Sequence, residues 1–255
     1  MKLLTRFAAT AVVLAMATGV AAAKDWTSVR IGTEGAYPPF NFFDSNKELQ
    51  GFDIDIAKAV CAQAKVECTF VAQDWDGIIP ALLAGKYDAI FASMSATDER
   101  RQTIDFTRAY YNAPSGFFAS KDSGLADSTP ETLAGKIIGA QSGTIQADYL
   151  AANYPNSEIK LYPTQDEVNL DLVAGRIDAL FVDKIVGDEW IKTPDGSSIT
   201  NLGADVALGD GVAAGVRKED TDLRDKLSAA INEIKANGTY DEINAKYFPF
   251  SIWKD

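Results

Sequence analysis

The chain of 255 residues contains no histidine. Because histidine is the commonest general base and the commonest metal ligand, its absence excludes Ser-His-Asp and Cys-His chemistry. We expect neither a metal nor another cofactor. Basic residues are also scarce, with 24 lysines and arginines against 36 acidic residues and a formal net charge of −12. Such a surface argues against nucleic acid and anionic membranes as partners, and it suits a cationic ligand.

Long hydrophobic runs are absent apart from one at the amino terminus. A short basic region with Lys2 and Arg6 precedes an apolar stretch, and small residues at 21–23 offer a cleavage site. This pattern predicts a secretory signal peptide over residues 1–23. A membrane anchor is the alternative, but the apolar stretch is short for a bilayer. No cysteine follows it that could carry a lipid anchor, so we expect a soluble protein exported to the periplasm.

Only two cysteines are present, Cys61 and Cys68, seven positions apart. In an exported protein such a pair favours a disulfide, and two buried thiols are the alternative.

The hydrophobic pattern alternates between strands and helices, which indicates parallel sheets built from βαβ units. The predicted strands lie at 29–37, 66–73, 87–92, 136–140 and 177–182. The predicted helices begin near Asp53, Trp75, Thr129, Ile145, Thr164, Thr221 and Thr239, with Asp53, Thr221 and Thr239 among the expected caps.

One phrase occurs twice, as LLAGKYDAIFAS at 82–93 and as LVAGRIDALFVD at 172–183. Each copy is typical of a helix end, a glycine stop and a buried strand. The alternative is chance, because such phrases are common in α/β proteins, but the length of the match favours two equivalent α/β lobes.

The two copies end differently, one in Ser93 and the other in Asp183. Ligands of open parallel sheets bind beyond the carboxyl ends of strands, so two facing lobes would place a hydroxyl opposite a carboxylate. Arg100 lies one turn into a helix that Thr97 caps, where a guanidinium beside free N–H groups can receive a carboxylate. The alternatives are a solvated Arg100 paired with a neighbouring acid, and Asp183 as an ordinary helix cap.

Seven segments together resemble one known family, the extracytoplasmic solute-binding proteins of polar amino-acid ABC importers. They are TEGAYPPFNF (33–42), GFDIDIAK (51–58), DWDGIIPALLAGKYDAIFASMSATDERR (74–101), IDFTRAYY (104–111), QSGT (141–144), AGRIDALFVD (174–183) and NGTYDEINAKYF (237–248). They cover nearly all of the chain after the signal peptide, in the family's order. The similarity is strongest to the lysine/arginine/ornithine, arginine and opine-binding branch, whose disulfide matches the spacing of Cys61 and Cys68.

The resemblance assigns roles to individual residues. It implies that Arg100, Ser95 and the backbone near Thr144 hold the ligand's α-carboxylate, and that Asp183 and Ser93 hold its α-ammonium. Tyr37 and Trp75 would wall the side-chain pocket, and Glu34 would meet a terminal positive charge; otherwise the two aromatics are core residues and Glu34 is exposed. Met94 and Gln146 complete the implied ligand-binding set. Ala92 and Ile145 depart from the hydroxyl residues that some members carry.

The resemblance implies a two-lobe α/β binding-protein fold, each lobe a mostly parallel sheet flanked by helices, with two hinge crossovers. Lobe 1 would comprise residues 24–112 and 209–255, and lobe 2 residues 113–208. The implied function is capture of a cationic amino acid or an arginine-derived opine by a monomer, and its delivery to an ABC permease with its ATPase. The alternatives are a periplasmic dehydratase on the same fold and an amino-acid sensing module for a signalling receptor.

Overall fold

The computed structural model describes residues 24–254, and the predicted signal peptide at residues 1–23 lies outside them. The strands are β1 (Ser28–Thr33), β2 (Ala36–Tyr37), β3 (Asn41–Phe43), β4 (Leu49–Gln50), β5 (Glu67–Ala72), β6 (Ala89–Ile90), β7 (Asp105–Tyr111), β8 (Ser115–Ser120), β9 (Ile137–Gln141), β10 (Glu158–Tyr162), β11 (Ala179–Asp183), β12 (Ile199–Asn201) and β13 (Val212–Val216). The helices are α1 (Phe52–Ala64), α2 (Ile78–Leu83), α3 (Asp98–Thr103), α4 (Ile145–Asn153), α5 (Gln165–Val173), α6 (Lys184–Trp190), α7 (Thr221–Ala236) and α8 (Thr239–Tyr247). A 3₁₀ turn at Trp75–Gly77 precedes α2.

The strands form two five-stranded sheets and one small antiparallel meander. The first sheet has the order β5-β1-β6-β13-β7 and the second has the order β10-β9-β11-β8-β12. In each sheet three neighbouring strands run parallel, β5-β1-β6 in the first and β10-β9-β11 in the second. The two remaining strands pair antiparallel, so both sheets are mixed. The two-lobe α/β fold is confirmed, with this refinement of the expected mostly parallel sheets.

The chain passes between the two sheets twice. It leaves the first sheet after β7 and enters the second at β8, and it returns between β12 and β13. Strands β7 and β13 are therefore neighbours in the first sheet although 100 residues of the chain lie between them. The two passages are the connections at which the sequence analysis places its hinge.

The repeated phrase forms the same structure in both sheets. Helices α2 and α5 end just before Gly85 and Gly175, which take left-handed conformations with φ values of 70° and 67°. Glycine adopts this region without the steric cost that a side chain would add, which explains why each helix stops there. The chain then turns directly into β6 in one sheet and β11 in the other.

Hydroxyl residues cap the helices that point toward the cleft. The side chains of Thr97, Thr144 and Thr164 accept hydrogen bonds from the backbone N–H groups of Arg100, Ala147 and Glu167, at the starts of α3, α4 and α5. Such bonds satisfy N–H groups that have no partner inside a helix. The cap predicted at Thr97 is therefore confirmed, and α4 and α5 begin where the sequence predicts them.

Three other predicted caps are wrong. Helices α7 and α8 begin one residue earlier than expected, so that Asp220 and Gly238 occupy the cap positions in place of Thr221 and Thr239. Gly51 occupies the cap position of α1, and Asp53 lies inside the first turn with its carboxylate directed to other elements. The segment expected to form a helix from Thr129 contains only hydrogen-bonded turns before β9, because too few residues separate the two.

The helices cover the sheets through apolar faces. Helix α1 packs against α7 and α8, and α7 also packs against β7. The apolar face of α7 is buried, since Leu223, Leu227, Ile231 and Ile234 all lie in the core. Cys61 and Cys68 form the expected disulfide, which ties the last turn of α1 to β5 with a Cα–Cα distance of 6.1 Å. Within residues 24–254, no helix has the length and apolar character needed to cross a bilayer.

Candidate ligand-binding site

A cleft between the two sheets holds a cavity with about 340 Å³ of empty space, part of it open to solvent. The residues that line it are Glu34, Tyr37, Trp75, Ala92, Ser93, Ser95, Arg100, Gln141, Thr144, Ile145, Gln146 and Asp183. Four of them, Glu34, Ser93, Gln141 and Asp183, lie at or just beyond the carboxyl ends of the parallel strands β1, β6, β9 and β11. This is the edge at which open α/β sheets place their ligands.

Nine of the ten site residues expected from the sequence lie on this cavity. Met94 does not. Its side chain is fully buried in the core beside Ile78 and Leu82, whereas its neighbours Ser93 and Ser95 line the cavity. The expectation that Met94 belongs with the ligand-contacting side chains is therefore corrected, because its apolar side chain lies in the core while Ser93 and Ser95 line the cleft.

Arg100 provides the positive charge on the cavity. Its Nη1 donates to the carbonyl of Ser95 at 2.9 Å, and its Nη2 donates to the carbonyl of Gly143 at 3.0 Å. The guanidinium also lies 5.2 Å from the centre of the Trp75 ring, a cation–π distance. Among the described residues no carboxylate lies within ion-pair distance of it, which rules out the alternative of a surface pair with Asp98 or Glu99. Burial lowers the pKa of Arg100 below its usual value.

The guanidinium has capacity for a further partner. It carries five N–H donors, and the two backbone carbonyls occupy two of them. The remaining donors can receive a carboxylate in a two-bond arrangement.

Asp183 provides a negative charge at the end of β11. Its carboxylate accepts a hydrogen bond from the Tyr37 hydroxyl at 3.0 Å and from the Gln146 amide at 2.8 Å. Asp183 occupies the cap position of α6 but makes no side-chain cap hydrogen bond, so the alternative of an ordinary helix cap is wrong. Burial raises the pKa of Asp183 to about 6. A cation bound in the cavity would stabilise the ionised form of the Asp183 carboxylate.

Glu34 provides a second negative charge, at the end of β1. Its side chain is buried, which overturns the alternative of a surface glutamate, and its Oε1 accepts from the Gln141 amide at 2.6 Å. Burial, with a smaller contribution from the nearby carboxylates of Asp166, Asp74 and Asp76, raises the pKa of Glu34 to about 7, although the hydrogen bond from Gln141 acts in the opposite direction. A buried carboxylate surrounded by others is a strong acceptor for a cation that enters the cavity.

Two aromatic side chains stand beside these acids. Tyr37 is buried, and its ring stacks on Phe40. Trp75 is partly exposed at the start of the 3₁₀ turn, and its indole N–H donates to the carbonyl of Gly143 at 3.1 Å. Both residues face the cavity, so neither is only a core residue as the alternative interpretation held.

Five hydrogen bonds cross the cleft and hold it closed. Three of them join charged residues of the cavity to the opposite lobe: the Tyr37 hydroxyl donates to Asp183, the Gln141 amide donates to Glu34, and Arg100 donates to the carbonyl of Gly143. The other two are at the rim, from the Trp75 indole to Gly143 and from the Ser142 hydroxyl to Asp76 at 2.8 Å.

Thr144 and Gln146 lie at the start of α4. The Thr144 hydroxyl caps the helix and donates to the carbonyl of Gln141 at 2.7 Å, so the hydroxyl is engaged in capping. This leaves the backbone N–H groups of the first turn, which have no partner within a helix, as the donors that this segment can offer to a ligand.

Gln141 is the lining residue that sequence reasoning did not select. It is buried, and its amide joins Glu34 to the carbonyl of Pro163. Its position at the end of the parallel strand β9, directly before the Ser142–Thr144 turn, is the signal that could have identified it. Ala92 and Ile145, noted as departures from related sequences, also line the cavity.

Comparisons with known proteins agree with this geometry. The model of the family "Bacterial extracellular solute-binding proteins, family 3" matches residues 29–250. The chain is 41% identical to the L-arginine-binding protein of Pseudomonas aeruginosa, over 88% of this chain and 89% of that one. It is 38% identical to the lysine/arginine/ornithine-binding periplasmic protein of Escherichia coli, over 89% and 90%. It is 34% identical to the octopine-binding periplasmic protein of Rhizobium meliloti, over 94% and 96%.

Solved structures show the same fold. An ancestral arginine-binding protein bound to arginine superimposes with a TM-score of 0.82 at 34% identity, over 87% of this chain and 98% of that one. An ancestral amino acid-binding protein described as a precursor of cyclohexadienyl dehydratase superimposes with a TM-score of 0.78 at 30% identity, over 87% and 95%.

Proposed function

The chain belongs to the bacterial extracellular solute-binding proteins of family 3, and from that premise we propose that it captures a cationic amino acid and delivers it to an ABC permease. The observation that carries the proposal is the charge pattern of the cavity, which is lined by two carboxylates, Glu34 and Asp183, and one guanidinium, Arg100. A basic amino acid has the complementary pattern of two cations and one carboxylate. Its net charge of +1 also suits a strongly acidic protein.

Each charge of the ligand has a matching place in the cavity. Arg100, with Ser95 and the backbone near Thr144, binds the α-carboxylate through the N–H donors that the backbone carbonyls leave free. Asp183 and Ser93 bind the α-ammonium. The α-carboxylate and the α-ammonium of the ligand are bound from opposite sheets, because Arg100 follows β6 of the first sheet and Asp183 is the last residue of β11 in the second.

Glu34, Tyr37, Trp75 and Gln141 form the side-chain pocket. Glu34 gives a charge-assisted hydrogen bond to a guanidinium or ammonium, and the two rings give apolar walls with negative faces. Gln146 supports the site indirectly, because its amide donates to Asp183.

The same charge pattern favours the unmodified basic amino acid over an arginine-derived opine. An opine carries a second carboxylate next to its secondary ammonium, and among the described residues Arg100 is the only cation that lines the cavity. The extra carboxylate would face Asp183 or Glu34 without a counter-charge, which costs binding free energy in a closed cleft.

Binding is coupled to closure of the two lobes. We place lobe 1 at residues 24–112 and 209–255 and lobe 2 at residues 113–208, with the hinge at the two passages between the sheets. Only the closed form brings Arg100 and Asp183 to the same ligand, so the ligand stabilises that form by the difference in its affinity for the two. The closed monomer then docks on its permease in the periplasm, and no chemical step is involved.

A screen for stabilisation by ligands tests this function. Thermal unfolding is measured with arginine, ornithine, lysine, histidine, octopine, glutamine and glutamate, since a ligand at about 100 times its Kd adds roughly 2.7 kcal/mol of stability. Basic amino acids are expected to raise the unfolding temperature most. Assays with prephenate and arogenate address a dehydratase, and turnover of either would overturn the non-enzymatic role. Capture of a sensor kinase instead of a permease by the loaded protein would support the sensing alternative.

A further inference from the structure

Asp53, in the first turn of α1, is fully buried and receives four hydrogen bonds from three other parts of the first lobe. Its Oδ2 accepts from Asn41 Nδ2 at 3.0 Å, from the backbone N–H of Ser93 at 2.8 Å and from Ser93 Oγ at 3.0 Å. Its Oδ1 accepts from the Tyr110 hydroxyl at 2.7 Å. Asp53 itself does not line the cavity, but Ser93 does.

These contacts fix which polar group Ser93 offers to the cavity. An ionised carboxylate can only accept hydrogen bonds, and a serine hydroxyl has a single proton to donate. Because that proton is directed to Asp53, the oxygen of Ser93 presents only lone pairs to a ligand. An ammonium group finds an acceptor there, whereas a carboxylate is repelled.

The same contacts fix the backbone of Ser93. Its φ value of 52° lies in the left-handed region, which is uncommon for a residue other than glycine and persists only where the surrounding structure holds it. Asp53 binds both the N–H and the hydroxyl of Ser93, so it holds the residue in this conformation.

The Asp53 carboxylate also acts on the other wall of the site through Asn41. Because the amide of Asn41 donates to Asp53, its oxygen is left to accept from the backbone N–H of Gly35 at 2.9 Å. Gly35 lies in the turn between Glu34 and Tyr37, both of which line the cavity.

We propose that Asp53 is a positioning residue for the ligand's α-ammonium, because by taking the hydroxyl proton of Ser93 it turns Ser93 Oγ into an obligate acceptor facing the cavity. The proposal rests on the proposed function, since it requires a ligand with an α-ammonium. It extends that function by assigning the orientation of the ammonium site to a carboxylate outside the cavity.

The test compares two ligands that differ only in the α-ammonium, L-arginine and 5-guanidinopentanoate, by competition binding and calorimetry. The variant Asp53→Asn keeps the shape of the side chain but removes its charge and one of its two acceptor oxygens, so the proton of Ser93 is no longer held by a carboxylate. We expect Asp53→Asn to weaken arginine by about tenfold or more and to change the affinity of 5-guanidinopentanoate by less than about threefold.

Asp88→Asn is the matched control. Asp88 is a buried carboxylate of the same lobe that pairs with Arg30 and Arg217 and does not line the cavity. Asp88→Asn is expected to lower the unfolding temperature without separating the two ligands. If Asp53→Asn weakens both ligands equally, or weakens neither, Asp53 has only a structural role and the proposal is overturned.

Ser93→Ala keeps the test decisive if Asp53→Asn does not fold. It removes the acceptor itself, so it must also weaken arginine selectively against 5-guanidinopentanoate, and equal effects on both ligands would overturn the proposal. Where both single variants fold, Asp53→Asn in the Ser93→Ala background must weaken arginine by no more than about twofold, because the two residues act on one contact. Full additivity would contradict it.

Failure of the proposed function has a different signature, namely wild-type protein that does not bind arginine, ornithine or lysine. In that case the same variants are compared on the amino acid that the wild type binds and on its des-amino analogue. The expected selectivity for the ammonium, and the result that contradicts it, are unchanged.

Discussion

Replacing Glu34 by glutamine is expected to remove most of the pH dependence of arginine binding between pH 8 and pH 6. Burial raises the pKa of Glu34 to about 7 in the empty site, so near neutral pH a large fraction of the molecules carry a proton there. A guanidinium or ammonium beside Glu34 favours the ionised form and lowers this pKa. Binding of a cationic ligand must therefore release a proton from Glu34.

The size of the loss in arginine affinity follows from the pKa of Glu34. Each pH unit below about 7 adds about 1.4 kcal/mol to the cost of ionising Glu34, which is a tenfold loss of affinity. Asp183, with a pKa of about 6, adds only about a twofold loss at pH 6. The wild-type affinity for arginine should thus fall by roughly 20-fold from pH 8 to pH 6, and the affinity of Glu34→Gln by only about twofold.

Calorimetry in two buffers of different ionisation enthalpy measures both the affinity and the number of protons released. The wild type should release about half a proton per arginine at pH 7, and Glu34→Gln close to none. Glutamine is the matched ligand control, because its neutral side chain draws no proton from Glu34. An affinity for arginine that is flat between pH 8 and pH 6, or equally steep in Glu34→Gln, would refute the reasoning.

In the ligand-free protein the contribution of Glu34 to the free energy of unfolding should decrease as the pH rises, whereas the affinity for arginine increases. A carboxyl group whose pKa is raised on folding contributes stability below its unfolded pKa, and this contribution is lost as the pH rises through the folded value. For Glu34 that window extends from 4.5 to about 7. The unfolding temperature of the wild type should therefore fall relative to Glu34→Gln as the pH rises across this window, and added arginine should reverse the difference.

Three further outcomes follow from the structure. Arg100→Ala and Asp183→Ala should each weaken arginine by about 2–5 kcal/mol in calorimetry, since each leaves an opposite charge buried in the closed cleft, and near-wild-type affinity in both would contradict the assignment. Reduction of the Cys61–Cys68 disulfide should lower the free energy of unfolding by about 2–3 kcal/mol in urea titrations, and an unchanged midpoint would contradict its stabilising role. Ser142→Ala removes a rim hydrogen bond across the cleft and should raise the ligand dissociation rate by up to about tenfold in stopped-flow measurements, while an unchanged rate would show that this bond does not hold the cleft closed.

Much of the fold could be predicted because its signals are local. The glycine stops at Gly85 and Gly175 and the threonine cap at Thr97 depend on a few neighbouring residues, and all three are found where expected. The sequence prediction placed the caps of α7 and α8 one residue too late. In each case a threonine follows an aspartate or a glycine, and either of the two residues can occupy a cap position.

Asp53 shows where local rules fail. An aspartate at the start of a helix is an ordinary cap by its sequence, but its partners Ser93 and Tyr110 are 40 and 57 positions away along the chain. Tertiary contacts determine the role of Asp53, and no feature of the neighbouring sequence indicates them. The hydrogen bonds across the cleft also join residues that are far apart in the sequence, since Tyr37 and Asp183 are separated by 146 positions.

The cavity itself was predicted from two sources. The strand-end rule selected Ser93 and Asp183 from the sequence alone, and the resemblance to a family supplied Glu34, Tyr37 and Trp75, which have no local signal for a binding role. Gln141 escaped both, because the helix-cap pattern that follows it drew attention to Thr144. Met94 was included because it lies between two serines of the site, and burial of its apolar side chain removed it from the cavity.

The most direct test of the central claim is competition binding of arginine, ornithine, octopine, glutamine and glutamate to the wild type and to Glu34→Gln. A cationic side chain gains a charge-assisted hydrogen bond of about 1.5–3 kcal/mol from Glu34 and a cation–π contact of roughly 0.5–2 kcal/mol from the aromatic walls. Arginine or ornithine should therefore bind at least about tenfold more tightly than glutamine, which requires about 1.4 kcal/mol, and Glu34→Gln should shrink that ratio. A wild type that prefers glutamine or glutamate, or a ranking that Glu34→Gln leaves unchanged, would contradict the account.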